Sequence, residues 1–237
     1  MTRAHARRRT DAVFFDVDFT LIYPGPAFQG EGYRGFCARH GIAVDEAHFD
    51  AAVRAALEHL EGAGHLYEDE IFIRYTRRII EGMGGRGTDA VLDACAAEIY
   101  VEWARCHHFH LYDDVAGVMR RLADDGIKVG LISNSHRSLD EFQSHFRLGV
   151  VVSAAVSSAE HGYMKPHPRI FQTALQRAGV RADASVMVGD SLAHDIEGAR
   201  RVGRLTIHPG WPYHSGRTSR CGTSGARPVP RSRRCTW

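Results

Sequence analysis

The sequence predicts an α/β protein in which a parallel sheet forms the core and an all-helical segment is inserted into it. Three observations lead there. Short apolar runs at 12–15, 127–132 and 185–188 each end in polar or acidic residues, as buried strands of a parallel sheet do. Stretches with helical apolar spacing alternate with these runs. Between the first and second runs lies a long stretch, 23–110, in which every periodic pattern is helical. The expectation is a Rossmann-like core built from 11–22 and 111–209, with 23–110 as a helical insert.

In chain order, the run Ala12-Val13-Phe14-Phe15 has the length and apolarity of a strand covered on both faces. The insert is entered through Tyr23-Pro24-Gly25-Pro26. Helices are expected over Asp45–Leu60, Ile71–Met83 and Val91–Trp103, from apolar spacing such as Phe49, Val53, Leu57 and Leu60. The core resumes with a helix over Asp113–Asp125 stopped by Gly126, then the strand leading to Ser133. A helix near Leu139–Phe146 and a strand through Val150–Val152 come next. Pro168 starts a helix that Gly179 ends. The strand Ser185–Val188 leads to a helix over Ala193–Val202, and Leu205–Ile207 reads as a fifth strand.

The chemistry-bearing residues cluster after the strands, where open α/β sheets bind ligands. Asp16 and Asp18 come after the first strand, with Thr20 next to them. Two carboxylates there can hold a divalent cation, and one can attack an electrophile. The second strand ends in Ser133-Asn134, a hydroxyl and an amide able to donate to phosphate oxygens, though also ordinary turn residues. Lys165 stands in a loop stiffened by Pro166 and Pro168. The chain has only two lysines against 28 arginines, so a retained lysine marks a place for a compact point charge. The last strand ends Gly189-Asp190. Gly189 allows close approach of an ion or ligand, and Asp190 can complete an all-oxygen site with Asp16 that suits Mg²⁺ better than zinc. Asp195, five residues on, fits either a site carboxylate or a helix-start acid facing the macrodipole.

These stretches, in this order, resemble the haloacid dehalogenase-like superfamily of phosphatases and phosphotransferases. Its pattern is Asp-x-Asp-x-Thr after one strand, Ser or Thr after a second, a lone Lys, and Gly-Asp with a further Asp after the last. The resemblance spans roughly residues 11–209 and implies Asp16 as nucleophile and Asp18 as general acid and base. It also implies phosphate contacts from Ser133, Asn134 and Lys165. Mg²⁺ would be held by Asp16, the backbone carbonyl of Asp18 and Asp190, supported by Thr20, Gly189 and Asp195. The insert corresponds to the all-helical cap that one branch of the superfamily carries after its first motif. Phe19 departs from the small residue common before Thr20, and His167 from the usual residue after Lys165-Pro166. Dehalogenases of the superfamily lack the second carboxylate, so Asp18 favours phosphoryl transfer. The expected activity is a Mg²⁺-dependent phosphatase acting on a small phosphorylated metabolite through an aspartyl-phosphate. A mutase or other phosphotransferase, and a non-catalytic or inactive product, are the alternatives. A phosphonate-cleaving relative would want a lysine in the insert, which has none.

The ends of the chain differ from its middle. Residues 1–10 carry four arginines, and 213–237 carry six with no acid. Both read as disordered basic tails, and the second as a frame-shifted or otherwise aberrant end. Removing those ten arginines from the formal +2 leaves 11–212 at −8, so no nucleic-acid partner is expected. No apolar run reaches the length of a membrane span, and five widely spaced cysteines suit a reducing, cytoplasmic setting. Oligomeric state stays open. The run His107-His108-Phe109-His110 is not expected to bind metal, because adjacent histidines point apart. Arg74, Arg77 and Arg78 read as a solvated face, and His161 and His194 carry no assigned role.

Overall fold

The first strand, β1 (Ala12–Phe15), is buried along its whole length and lies between two parallel neighbours. The computed structural model describes residues 10–61 and 64–208, so the expectations for 1–9 and 213–237 fall outside the described residues. After β1 comes β2 (Ile22–Pro24), then four helices: α1 (Gly30–Arg39), α2 (Phe49–Glu61), α3 (Asp69–Gly82) and α4 (Asp89–Trp103). Strand β3 (Phe109–Leu111) brings the chain back, antiparallel to β2. The core then alternates: α5 (Val115–Asp124), β4 (Lys128–Ser133), α6 (Leu139–His145), β5 (Val152–Ser157), α7 (Ser158–His161), α8 (Pro168–Ala178) and β6 (Ser185–Val188). A π-helical turn over Leu192–Glu197, α9 (Gly198–Arg201) and β7 (Leu205–Ile207) complete the described chain.

The sheet order is β5-β4-β1-β6-β7, with every adjacent pair parallel. Side chains of β1 alternate between its faces. Ala12 and Phe14 pack with Ile170, Phe171 and Ala174 of α8, whereas Val13 and Phe15 belong to a core shared with α5 and α6. That second core runs on through Leu21, Ile22, Phe28 and Phe36 to Ile79, Ile80 and Ile99 of the insert. Sheet and helices therefore share one continuous apolar interior on this side. Gly130 makes room for the central strand: a Cβ there would come 2.4 Å from the Phe14 ring.

Several elements differ from expectation. β5 begins at Val152, because Val150 lies in a turn and is 99% exposed. The expected helix over 193–202 is a π turn continued by one short α segment. Helix α1 carries Gly30, Gly32 and Gly35, whose low helix propensity hides it in the sequence. Gly32 is needed because a Cβ would meet the Ala27 carbonyl oxygen at 2.1 Å. The short β2–β3 ribbon at the borders of the helical stretch gives no periodic signal at three residues per strand.

Candidate active site

Pairing of β1 with β6 puts Phe15 opposite Val188, so Asp16 and Gly189-Asp190 leave the sheet side by side. The Asp16 amide donates to the Val188 carbonyl at 2.9 Å. Thr20 sits between the two acids. Its hydroxyl lies 3.3 Å from both Asp16 Oδ2 and Asp190 Oδ1, and it accepts the Asp190 amide at 3.2 Å. Phe19, just before it, has φ +63, a left-handed conformation unusual for a bulky residue. Its ring lies against Trp103 at the end of α4.

Lys165 reaches the same point from the loop between α7 and α8. Its Nζ lies 2.5 Å from Asp16 Oδ1 and 2.6 Å from Asp195 Oδ1, with only 3% of the side chain exposed. Asp195 spends its other oxygen on the Ser191 amide at 3.0 Å. The π turn thus presents Asp195 to the lysine and fixes it there. Gly189 is expected from sequence to admit an ion or ligand; its close neighbour is instead Asp195, whose Cγ would meet a Cβ at 2.3 Å. Asn134 also holds the lysine's backbone: its side-chain NH2 donates to the Lys165 carbonyl at 2.9 Å and its oxygen accepts the Lys165 N–H at 2.7 Å, and the second N–H of that amide is the one able to serve a phosphate.

Ser133 ends β4 at 1% exposure, and its Oγ has no hydrogen-bond partner among the described residues. Buried hydroxyls are nearly always paired, so an orphaned one beside such a cluster marks a place for a ligand oxygen. The Asp18 carboxylate stands outside the close group formed by the other three acids. It accepts from Nη1 of Arg137 at 2.9 and 3.0 Å. Sequence reasoning missed Arg137. In a chain with 28 arginines, one more in a polar stretch carries no signal.

The site is electrostatically unbalanced. Burial pushes the Asp16 carboxyl well above the usual carboxylate range, although Lys165 pulls it down. Burial, and then the nearby Asp16 charge, push Asp190 up to about 7. Burial likewise raises Asp195 against the pull of Lys165. Burial also disfavours the lysine charge, but Asp16 and Asp195 outweigh it and hold Lys165 above its ordinary range. Oxygens of Asp16, Asp190 and Asp195 lie within 4.8 Å of one another. Three ionised carboxylates against one ammonium leave two negative charges, which one hard divalent cation would balance. The donor set is all oxygen and fits Mg²⁺.

A profile of the haloacid dehalogenase-like hydrolases matches residues 10–203. The chain belongs to the haloacid dehalogenase-like hydrolase family. Among the relatives of this hydrolase is the glyceraldehyde 3-phosphate phosphatase of Methanopyrus kandleri, 30% identical over 83% of this chain and 82% of that protein. Another is the ribulose-1,5-bisphosphate 5-phosphatase of Halopiger xanaduensis, 27% identical over 83% of each chain. The magnesium-bound HAD-hydrolase YfnB of Bacillus subtilis shares the fold. It superposes at a TM-score of 0.64 and 19% identity, covering 84% of this chain and 88% of that one.

The helical insert of this hydrolase meets the site from two sides. Its loop before α3 pairs with the chain just ahead of Lys165: the Met164 amide donates to His65 O at 2.8 Å, and the Tyr67 amide to Gly162 O at 3.0 Å. On the other side the Tyr100 ring stacks on His136 at 3.9 Å. The histidine run behaves differently from expectation, since His107 and His108 lie together, with ring centroids 4.0 Å apart. His108 Nε2 and Glu102 Oε2 are a hydrogen-bonded pair at 2.8 Å, and Arg105 stands 3.6 Å from the other Glu102 oxygen. Ligand atoms of Glu102, His107 and His108 lie within 4.8 Å of one another, with the Arg105 guanidinium beside them opposing a cation. Arg77 is tied to Glu81, Asp89 and Asp93. His161 pairs with the Thr173 hydroxyl at 2.9 Å.

Proposed function

We propose that this hydrolase is a Mg²⁺-dependent phosphatase of small phosphorylated metabolites, working through an aspartyl-phosphate on Asp16. The observation that carries the reading is the convergence of Asp16 and Asp190, at the ends of neighbouring strands, with Lys165 from the loop between α7 and α8. The phosphatase relatives support the reaction class.

Asp16 attacks phosphorus with Oδ2, the oxygen that Lys165 leaves free, while Thr20 holds the carboxylate in line. The Ser133 hydroxyl and the Lys165 ammonium bind the transferring oxygens and oppose their growing charge. Asp18 gives the leaving alkoxide its proton, then takes one from the water that cleaves the acyl-phosphate. Asn134 and Asp195 keep Lys165 in place. Asp16, Asp190 and the Asp18 backbone carbonyl would hold Mg²⁺, which supplies charge neutralisation at the phosphoryl oxygens when bound. Residues 23–110 act as a cap over this site, and 11–22 with 111–209 form the core domain. A cap seated on both sides of the site can exclude water and choose substrates. No helix among the described residues is long and apolar enough to cross a membrane. Cys37, Cys95 and Cys106 are free thiols, which suits a reducing, cytoplasmic setting for the activity.

The test is phosphate release from a panel of phosphomonoesters with Mg²⁺ present. The Asp16→Asn protein, folded by circular dichroism, should lose turnover at least ~10³-fold. Turnover at the wild-type rate would reject Asp16 as nucleophile.

A further inference from the structure

Arg137 is the largest fully buried side chain among the described residues. One guanidinium joins three parts of the fold. Nη1 donates to both oxygens of Asp18, at 2.9 and 3.0 Å, and Nη2 donates to the carbonyl of Trp103, the last residue of α4, at 2.8 Å. Its central carbon lies 4.3 Å from the ring centroid of Phe109, which opens β3. Arg137 comes from the loop after β4, two residues beyond Ser135, whose hydroxyl accepts its N–H at 3.0 Å. A core loop, the proposed acid and base, and the exit of the helical insert therefore share one buried cation.

The chemistry of the group makes this arrangement specific. A guanidinium is a rigid planar fork that can serve two acceptors in fixed directions, and an ammonium on a flexible stem cannot reproduce that. Desolvating a cation so fully is unfavourable unless its partners are well aligned. Here Asp18 is one such partner and a backbone carbonyl of the insert is another. The Trp103 ring adds to the link, lying 6.3 Å from Phe19 and 5.0 Å from Phe109. Movement of the end of α4 would thus disturb the carboxylate's clamp and the left-handed residue beside it together.

We propose that Arg137 is a positioning residue: it orients the Asp18 carboxylate and makes that orientation depend on the seating of α4. The inference rests on the phosphatase reading and on Asp18 as its acid and base. Loss of the clamp should weaken proton delivery to the leaving group more than it weakens substrate binding.

The test compares Arg137→Lys with wild type on two esters with Mg²⁺ present. An alkyl phosphate needs its leaving oxygen protonated, whereas p-nitrophenyl phosphate does not. For Arg137→Lys, kcat/KM on the alkyl ester should fall at least ~30-fold, while kcat/KM on the aryl ester stays within about threefold. The aryl ester should also give a burst of nitrophenolate, as slowed hydrolysis lets the aspartyl-phosphate accumulate. In an Asp18→Asn background the same substitution should change neither ester further. Equal losses on both esters, or full additivity with Asp18→Asn, would overturn the proposal while leaving the phosphatase reading intact. A wild-type protein inactive on both esters would sink that reading itself. Should Arg137→Lys not fold, Phe109→Leu decides, since it removes the ring under the guanidinium and keeps an apolar side chain against Trp103 and Phe28. It should show a smaller loss in the same direction, confined to the alkyl ester, and an unchanged ester ratio would count against the role.

Discussion

The ammonium of Lys165 lies 2.5 Å from Asp16 Oδ1, within the group of carboxylates formed by Asp16, Asp190 and Asp195. Asp195, 2.6 Å from the same nitrogen, shares that charge. One positive charge thus serves two acids directly and a third, Asp190, at longer range.

Replacing Lys165 by Met should therefore leave buried carboxylates without compensation. The expected loss of stability is about 3–5 kcal/mol at pH 8, as for the removal of one member of a buried ion pair. It should shrink in acid, where the carboxyls take up protons. Denaturant melts at pH 5.5 and pH 8 check both points, and activity should vanish at either pH.

The raised carboxyls set the pH dependence of the metal-free protein. Asp190 titrates near 7 in the folded state, against 3.8 as its ordinary value. A folded-state pKa above the unfolded one contributes stability that is complete below the lower value and is lost as pH rises through the upper one. In EDTA the melting temperature should therefore fall between about pH 4 and pH 8. Mg²⁺ binds the ionised form, so its stabilising shift should grow across that window. A magnesium shift that is the same at pH 5 and pH 8 would contradict the carboxylate assignment.

Ser133 separates stability from binding. Its hydroxyl is buried and unpaired among the described residues, so Ser133→Ala removes an unsatisfied group. Stability of the ligand-free protein should stay equal or rise by up to about 1 kcal/mol. Inorganic phosphate should bind the same variant more weakly, by roughly 5- to 30-fold for one lost hydrogen bond. Thermal melts and phosphate inhibition constants give the two readouts.

Arg204 is a third buried cation, besides Lys165 and Arg137. It lies over the Phe14 ring at 4.0 Å, is 4% exposed, and its Nε and Nη1 find no partner among the described residues. Burial pushes its pKa down to about 9. Arg204→Met keeps the bulk and discards the charge, and should stabilise the fold by about 1–3 kcal/mol at pH 7. A lower melting temperature for this variant would show that the guanidinium has a stabilising role there.

Strand-end chemistry is legible because β-strands leave a local trace: apolar runs stop where the chain leaves the sheet, and the residues just past that point line the ligand edge. Asp16, Ser133 and Asp190 are recognisable in that way, and the parallel order of the strands brings them together. The insert is legible from helical spacing, except α1, where glycine weakens the pattern. Partnerships between distant residues leave no such trace. Asn134 holding the Lys165 backbone, and Asp195 packed on Gly189, depend on loops whose courses no local pattern records.

By itself, then, the chain's order of residues determined the parallel sheet, the helical insertion and which side chains carry reactive chemistry. Apolar periodicity and chemical type are local properties, readable one segment at a time. Tertiary structure alone decided who is bound to whom. Arg137 clamps Asp18 from 119 positions away, and the exit of the insert supplies the other end of its fork. Such a contact arises because burial forces a desolvated charge to find its partners in space, whatever their separation along the chain.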